Sequence, residues 1–310
     1  MKLYKKISIY HILLLVFIVS ATGTIGYMFS YFQQSTRARE VQNELQSMKE
    51  EQEMLLAVVS EPETAEPEIS KPEILPQETL EQETLAQETL QPEIVEPVIL
   101  PPEILPKYQA LYEINSDMVG WLTIEDTNID YPVMQTMADE DYYLSFDFYK
   151  EPNKNGCLIL DTDSAVGTGT ASLEYADGNA PSTNLIIHGH TKKSGDMFGK
   201  LKLYADEEYG KEHQVICFDS LYEERAYELI AVFYSQVFYE NEDVFKYYAF
   251  FQADTREEFD NWYSNIKEMS LYDTGVTAEF GDEFITLSCC AYHTENGRFV
   301  VVGRRKKLNT

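Results

Sequence analysis

Ile285-Thr286-Leu287-Ser288-Cys289-Cys290 is followed, eight residues after Cys290, by Arg298 in Asn296-Gly297-Arg298-Phe299-Val300-Val301-Val302-Gly303. The two segments read as a strand ending in a thiol, a turn, and a return strand that carries an arginine back toward the thiol. Phe284 to Leu287 and Phe299 to Val302 are rich in β-branched and aromatic residues, and Glu295-Asn296-Gly297 between them has turn composition. A guanidinium beside a thiol favours the thiolate and also suits the oxyanion formed when a thiolate attacks a carbonyl.

A proton donor and acceptor is supplied by Asn184-Leu185-Ile186-Ile187-His188-Gly189-His190, at the end of another apolar, strand-like run. With Cys290 and Arg298 it completes a Cys/His/Arg set. At this point the chain resembles the sortases, cysteine transpeptidases of Gram-positive bacterial surfaces. Thr286-Leu287-Ser288-Cys289-Cys290 matches their Thr-Leu-x-Thr-Cys signature, and Arg298 matches the arginine of the following strand. His188-Gly189-His190 and Met197-Phe198-Gly199 match their aromatic-Gly-His and Met-Phe-Gly motifs. The sequence departs from the pattern twice: Cys289 stands where the family usually has Thr, and His188 where class B members usually have Tyr.

The resemblance runs from about Tyr108 to Lys306. It includes Ile129-Asp130-Tyr131-Pro132-Val133 and Asp141-Tyr142-Tyr143-Leu144, which look like the first strand region of class B enzymes and the segment after it. Class B members also carry a helix between the sixth and seventh strands. Thr255 to Ser270 fits that place, with Phe259, Trp262, Tyr263 and Ile266 at helical spacing and Asp254 or Thr255 as N-cap. Strand-like runs at Gly120 to Ile124, Gly156 to Leu160, Asn184 to His188, Gln214 to Phe218, Ala226 to Ser235, Phe284 to Ser288 and Arg298 to Gly303 argue a mainly β barrel or sandwich. The resemblance implies the eight-stranded sortase-type β-barrel with flanking helices, here near Tyr108 to Asn115 and Thr255 to Ser270.

The 310 residues suggest two domains by length, yet only the last two-thirds has globular composition. Ile7 to Phe32 is mostly apolar, carries no formal charge and follows Lys2, Lys5 and Lys6. At about 1.5 Å per helical residue it is long enough to cross a hydrocarbon core of about 30 Å. A single transmembrane signal-anchor helix over 7–32 is expected, rather than a cleaved signal, because no Ala-x-Ala site follows. The basic residues before it place 1–6 in the cytoplasm. In the segment 33–60, Val41, Leu45, Met48, Leu55 and Val59 form a short seam broken by Gln52, which reads as a juxtamembrane helix or coiled coil. Residues 61–106 are rich in Pro, Glu, Thr and Gln, with the echoes Gln77-Glu78-Thr79-Leu80, Gln82-Glu83-Thr84-Leu85 and Gln87-Glu88-Thr89-Leu90. That composition predicts a disordered acidic spacer giving the catalytic domain, 107–310, its reach from the bilayer. A net charge of −29 without a basic patch argues against a nucleic-acid partner.

Cys289 and Cys290 are neighbours, so in a strand their side chains point to opposite faces and one of them is the nucleophile; the signature selects Cys290. Cys157 and Cys217 read as small buried residues. His188 and His190 share a face, as a metal pair would, but no further ligands accompany them and the resemblance assigns the general acid and base to His190. His293 is a nearby rival expected in an exposed loop, while His213 and His11 read as surface and membrane-interface residues. His188, Thr191, Ser288 and Cys289 are candidate site-wall residues, and Arg298 shares its face with Val300 and Val302.

The resemblance implies an acyl transfer that needs no cofactor and no metal. Cys290 attacks a Thr carbonyl in the C-terminal sorting signal of a secreted protein, Arg298 stabilises the oxyanion and His190 moves the protons. A peptidoglycan precursor or cell-wall amine accepts the acyl group. The enzyme is then expected at the membrane of a Gram-positive bacterium, with its catalytic domain outside and facing the wall. Alternatives are a pilin-polymerising sortase, a cysteine peptidase, and an inactive membrane-tethered binding module.

Overall fold

A computed structural model describes residues 9–60, 103–168 and 180–307. Its central feature is a closed barrel of eight strands: β1 (Met118–Thr123), β2 (Asp130–Met134), β3 (Leu158–Leu160), β4 (Asn184–Gly189), β5 (Val215–Ser220), β6 (Ala226–Gln236), β7 (Phe284–Cys290) and β8 (Gly297–Arg305). The order around the wall is β1-β2-β3-β4-β7-β8-β6-β5, closed by antiparallel pairing of β5 with β1. Two contacts are parallel, β2 with β3 and β4 with β7. The second sets the ends of β4 and β7 side by side, and those ends carry the histidine and thiol motifs.

Strand alternation divides each apolar run between two cores. Leu185, Ile187, Ile285, Leu287, Phe299 and Val301 point into the barrel. Phe284, Val300 and Val302 point outward, where Phe259, Trp262 and Ile266 of helix α4 (Arg256–Met269) cover them. Of the two N-cap candidates, Thr255 caps α4, in a reciprocal capping box with Glu258. A third cluster joins helix α2 (Pro106–Ile114), through Tyr108 and Leu111, to Trp121, Tyr143 and Phe148. A short helix, α3 (Glu207–Glu212), has no counterpart in the sequence reading; at one and a half turns it is too brief to show a periodicity.

Helix α1 (Ile9–Ser60) is one continuous 52-residue helix, not two segments. Its N-terminal part is apolar and long enough to cross a membrane by length and composition. Part of the seam foreseen in the second part meets the barrel: Leu45 is buried, and Val41 and Met48 pack into the α2 cluster, whereas Leu55 is exposed. Polar bonds converge on Asp130 of β2. Lys49 Nζ lies 3.0 Å from Oδ1, Gln46 Nε2 donates to the backbone carbonyl at 3.0 Å, and Gln42 donates to the same carbonyl. The barrel is therefore joined to the apolar stretch by direct helix contact. The expected spacer lies in large part outside the described residues, as does the 1–6 segment.

Candidate active site

The thiol and the guanidinium are placed by strand pairing. In the antiparallel β7/β8 pair Cys290 is directly opposite Arg298, Ser288 opposite Val300 and Thr286 opposite Val302. Cross-strand partners share a face, so Cys290 and Arg298 lie on the outer face of the wall, in line with the residues that α4 covers. The turn joining the strands is tight. Asn296 takes the left-handed conformation at φ 53°, and a side chain on Gly297 would collide with the Ala291 carbonyl. Arg298 Nη1 donates to the carbonyls of Gly297 and Asn296 at 3.1 and 3.3 Å. These bonds hold the guanidinium near the strand start and engage one of its nitrogens.

Cys289 is placed differently from the other candidate wall residues. It belongs to the barrel interior, is 3% exposed, and its thiol is pushed up to about 11, chiefly by burial. The half-buried Cys290 is on the opposite face. Alternation separates the two thiols, so Cys289 backs the site from inside the wall and does not line it.

The histidine arrives on the neighbouring strand. In the parallel β4/β7 pair His188 is beside Ser288 and Gly189 beside Cys289, which brings His190 to the level of Cys290. Gly189 points inward, where a Cβ would come within 2.5 Å of both Leu158 and Phe198. The glycine between the histidines is thus needed for Phe198 to close the barrel end. The Phe198 amide donates to the His190 carbonyl at 3.1 Å, and Thr191 Oγ1 donates to the Cys290 carbonyl at 2.6 Å, tying the histidine segment to the strand that ends in the thiol.

His190 Nε2 is 2.9 Å from the Leu144 carbonyl. A carbonyl only accepts, so Nε2 carries the proton and Nδ1 presents the lone pair in the neutral ring. Burial holds this imidazole below its ordinary value; nearby Lys192 adds to the effect and the Leu144 carbonyl partly offsets it.

Of the other wall candidates, Ser288 is buried and exchanges a 2.8 Å hydrogen bond with the hydroxyl of buried Tyr247, so it supports the floor behind the thiol. His188 Nε2 is 3.2 Å from Asp161 Oδ2. Cys157 is buried as expected, whereas Cys217 is half-buried because it sits on the outward face of β5. His293 is exposed and meets Tyr234 edge to face; His213 is bonded to the Tyr209 carbonyl. Sequence reading did not anticipate Tyr247, Asp161 or the Leu144 carbonyl. Each meets the site across a long stretch of chain, and a backbone carbonyl leaves no trace in residue identity.

Four groups thus surround one point of the wall: a thiol, a guanidinium one strand to one side, an imidazole one strand to the other, and a hydroxyl fixing the backbone at the thiol. That set can perform nucleophilic acyl transfer. No family model matches the chain. Among curated proteins it is similar to sortase B of Listeria monocytogenes, 33% identical over 196 residues, covering 63% of this chain and 72% of that protein. It is also similar to sortase B of Staphylococcus aureus, 27% identical over 205 residues, with 66% and 76% covered. Among solved structures, a sortase B from Bacillus anthracis is 32% identical with a TM-score of 0.54, covering 67% of this chain and 86% of that one. A Staphylococcus aureus sortase B, solved as a substrate complex, shares the fold at 23% identity and a TM-score of 0.55, with 67% and 88% covered.

Proposed function

This chain belongs to the sortase family, in which it is most like class B, and from that premise we propose that Cys290, His190 and Arg298 join secreted proteins to the cell wall. The chain is a cysteine transpeptidase. The observation that carries the residue assignment is the row across three strands: His190 following β4, Cys290 ending β7, and Arg298 opposite it on β8.

In the first half-reaction Cys290 Sγ, as thiolate, adds to the Thr carbonyl of a C-terminal sorting signal. A C–S bond forms and the carbonyl electron pair moves to oxygen, toward the N–H groups of Arg298 that have no partner among the described residues. When the intermediate collapses, the C–N bond breaks and the departing amine takes the proton from His190 Nδ1. The ring must be an imidazolium at that moment. Burial opposes this charge, and the Leu144 carbonyl, accepting from Nε2, lowers its cost. In the second half-reaction a cell-wall amine attacks the thioester. The new C–N bond forms, the C–S bond breaks, the thiolate leaves, and the amine proton passes to Nδ1. Thr191 fixes the carbonyl of Cys290 and so limits movement of the nucleophile between the two steps.

The apolar part of α1 would cross the membrane once, with the N-terminus inside and the barrel outside, facing the wall of a Gram-positive cell. The test uses the full chain in detergent, a panel of sorting-signal peptides and an amine acceptor, read by intact mass. A thioacyl adduct and an amine-linked product that vanish in Cys290→Ala but persist in Cys289→Ala are expected. Loss in Cys289→Ala alone would move the nucleophile by one residue, and no adduct with any peptide would leave a binding module.

A further inference from the structure

Across the barrel wall the strands run β3-β4-β7-β8, so Cys290 has the arginine strand on one side and β4, then β3, on the other. If the oxyanion is held on the β8 side, amines leave and arrive on the β4 side, where His190 exchanges their proton. That side carries a second histidine. His188 is two residues before His190, hence on the same face and about 7 Å along the strand. Its register partner on β7 is Ser288, the neighbour of Cys290 on that face.

His188 is fixed rather than loosely exposed. Its Nε2 is 3.2 Å from Asp161 Oδ2, and the two side chains are 26% and 14% exposed. Asp161 is itself anchored at the end of β3. Its amide donates to the Ile186 carbonyl at 2.9 Å, its Oδ1 accepts from the Asp163 amide at 3.0 Å, and its carbonyl accepts from Gln135 Nε2 at 2.9 Å. A carboxylate accepts, so the bonded Nε2 bears hydrogen; the lone pair of the neutral ring is then at Nδ1, which has no hydrogen-bond partner among the described residues. Glu140, from the loop after β2, lies close enough to interact electrostatically with both Asp161 and His188. The described environment thus offers an oriented acceptor nitrogen, backed by negative charge, next to the group that must deprotonate an amine.

We infer that the His188–Asp161 pair selects and positions the acyl acceptor, taking an N–H of a primary amine or its adjoining amide on His188 Nδ1 while the amine nitrogen faces the thioester. The inference rests on the reaction proposed above. The chemical class it favours is a peptide-borne primary amine, cationic before it reacts and carrying further N–H donors. His188 and Asp161 are positioning residues: the bond-making remains with Cys290, and the amine proton still goes to His190.

The test measures the ratio of amine-linked to hydrolysed product from one sorting-signal peptide, with triglycine and Nα-acetyl-lysine amide as acceptor probes and the full chain in detergent. Both products arise from the same thioacyl enzyme, so the ratio does not depend on how much enzyme is folded. His188→Phe should lower the ratio about tenfold, the size of a lost hydrogen bond to a charged partner. Asp161→Asn should lower it in the same direction, and His188→Gln, which keeps a polar acceptor, should recover a substantial part. An unchanged ratio in His188→Phe, a parallel fall of both products at constant ratio, or no recovery in His188→Gln would overturn the inference. Failure of the wild-type chain to form any thioacyl adduct would instead overturn the proposed reaction.

Discussion

Cys290 and Arg298 are direct cross-strand partners at the end of β7 and β8 where the turn joins the two strands, so the wall that builds the core also sets the separation of thiol and guanidinium. The tight Asn296-Gly297 turn fixes the register of that pair. Arg298→Ala should therefore reduce thioacyl formation by about a hundredfold to a thousandfold, the range for loss of an oxyanion donor, with little change in stability. Arg298→Lys keeps the charge but not the planar fork and should recover only part of the loss. Single-turnover mass spectrometry on the acyl adduct reads this directly; equal adduct formation in wild type and Arg298→Ala would remove the arginine from the chemistry.

The two adjacent thiols should respond very differently to reagents. Cys289 is in the barrel interior, with its thiol pushed up to about 11 by burial, and Cys290 is on the outer face. A thiolate reacts and a buried thiol does not. A charged methanethiosulfonate should add first to the native chain at Cys290, ahead of the half-buried Cys217, whose thiol burial pushes up, and Cys290→Ala should abolish that fast addition. Peptide mapping that finds the label on Cys289 would contradict the alternation of β7.

Tyr247 and Ser288 form a hydrogen bond between two buried hydroxyls under the thiol. Tyr247→Phe leaves Ser288 without this partner and should cost about 1–2 kcal/mol, while the double change with Ser288→Ala should cost less than the sum of the single changes. Urea unfolding of the four chains gives the coupling. Additive losses would mean the bond is not formed in solution.

Much of this arrangement is legible in the chain itself, for physical reasons. Period-two runs mark the strands, and the neighbouring positions of Cys289 and Cys290 require that they part to opposite faces. Asp254 and Thr255 ahead of the Phe259, Trp262 and Ile266 spacing place the N-terminus of α4 to within one residue, and Thr255 takes the cap. What is not legible is contact at a distance. Asp161 meets His188 across 27 positions, Leu144 meets His190 across 46 and Tyr247 meets Ser288 across 41. The Val41, Leu45 and Met48 seam is visible as a seam, but apolar spacing does not say whether a helix faces another helix or a barrel; here it faces the barrel.

His190 should leave a mark on the pH dependence of stability. Burial, the largest influence, and Lys192 hold its imidazole below the ordinary value. The unfolded chain therefore takes up this proton at higher pH than the folded chain, and stability rises with pH through that window. The penalty is absent above the ordinary imidazole range and grows as pH falls through it toward the depressed folded value. His190→Gln lacks the titration, so the stability of the wild type relative to this variant should decline from about pH 8 to about pH 5. A relative stability that rises on acidification would mean the folded state favours the imidazolium.

The docking of α1 can be tested through Trp121, one of two tryptophans in the chain. Trp121 is buried under α2 and α1: Tyr108 stacks on it at 6.3 Å, Lys49 Nζ lies 4.7 Å from its ring, and its Nε1 donates to Asp130 at 2.6 Å. Leu45 is the most buried α1 residue in the same cluster. Truncating it to Ala removes apolar contact worth about 2–4 kcal/mol where the cavity cannot collapse. The loss seen in unfolding is capped by the docking free energy, because α1 can detach while the barrel stays folded. In a Trp262→Phe background, Leu45→Asp should shift Trp121 emission to longer wavelength at a temperature where far-UV circular dichroism still reports an intact barrel. Lys49→Ala should produce a smaller shift, since Tyr108 and the Asp130 bond remain in place. If Trp121 emission is the same with and without Leu45→Asp, α1 does not rest on β2 in solution, and the barrel would then hang from the apolar stretch by the 61–102 segment.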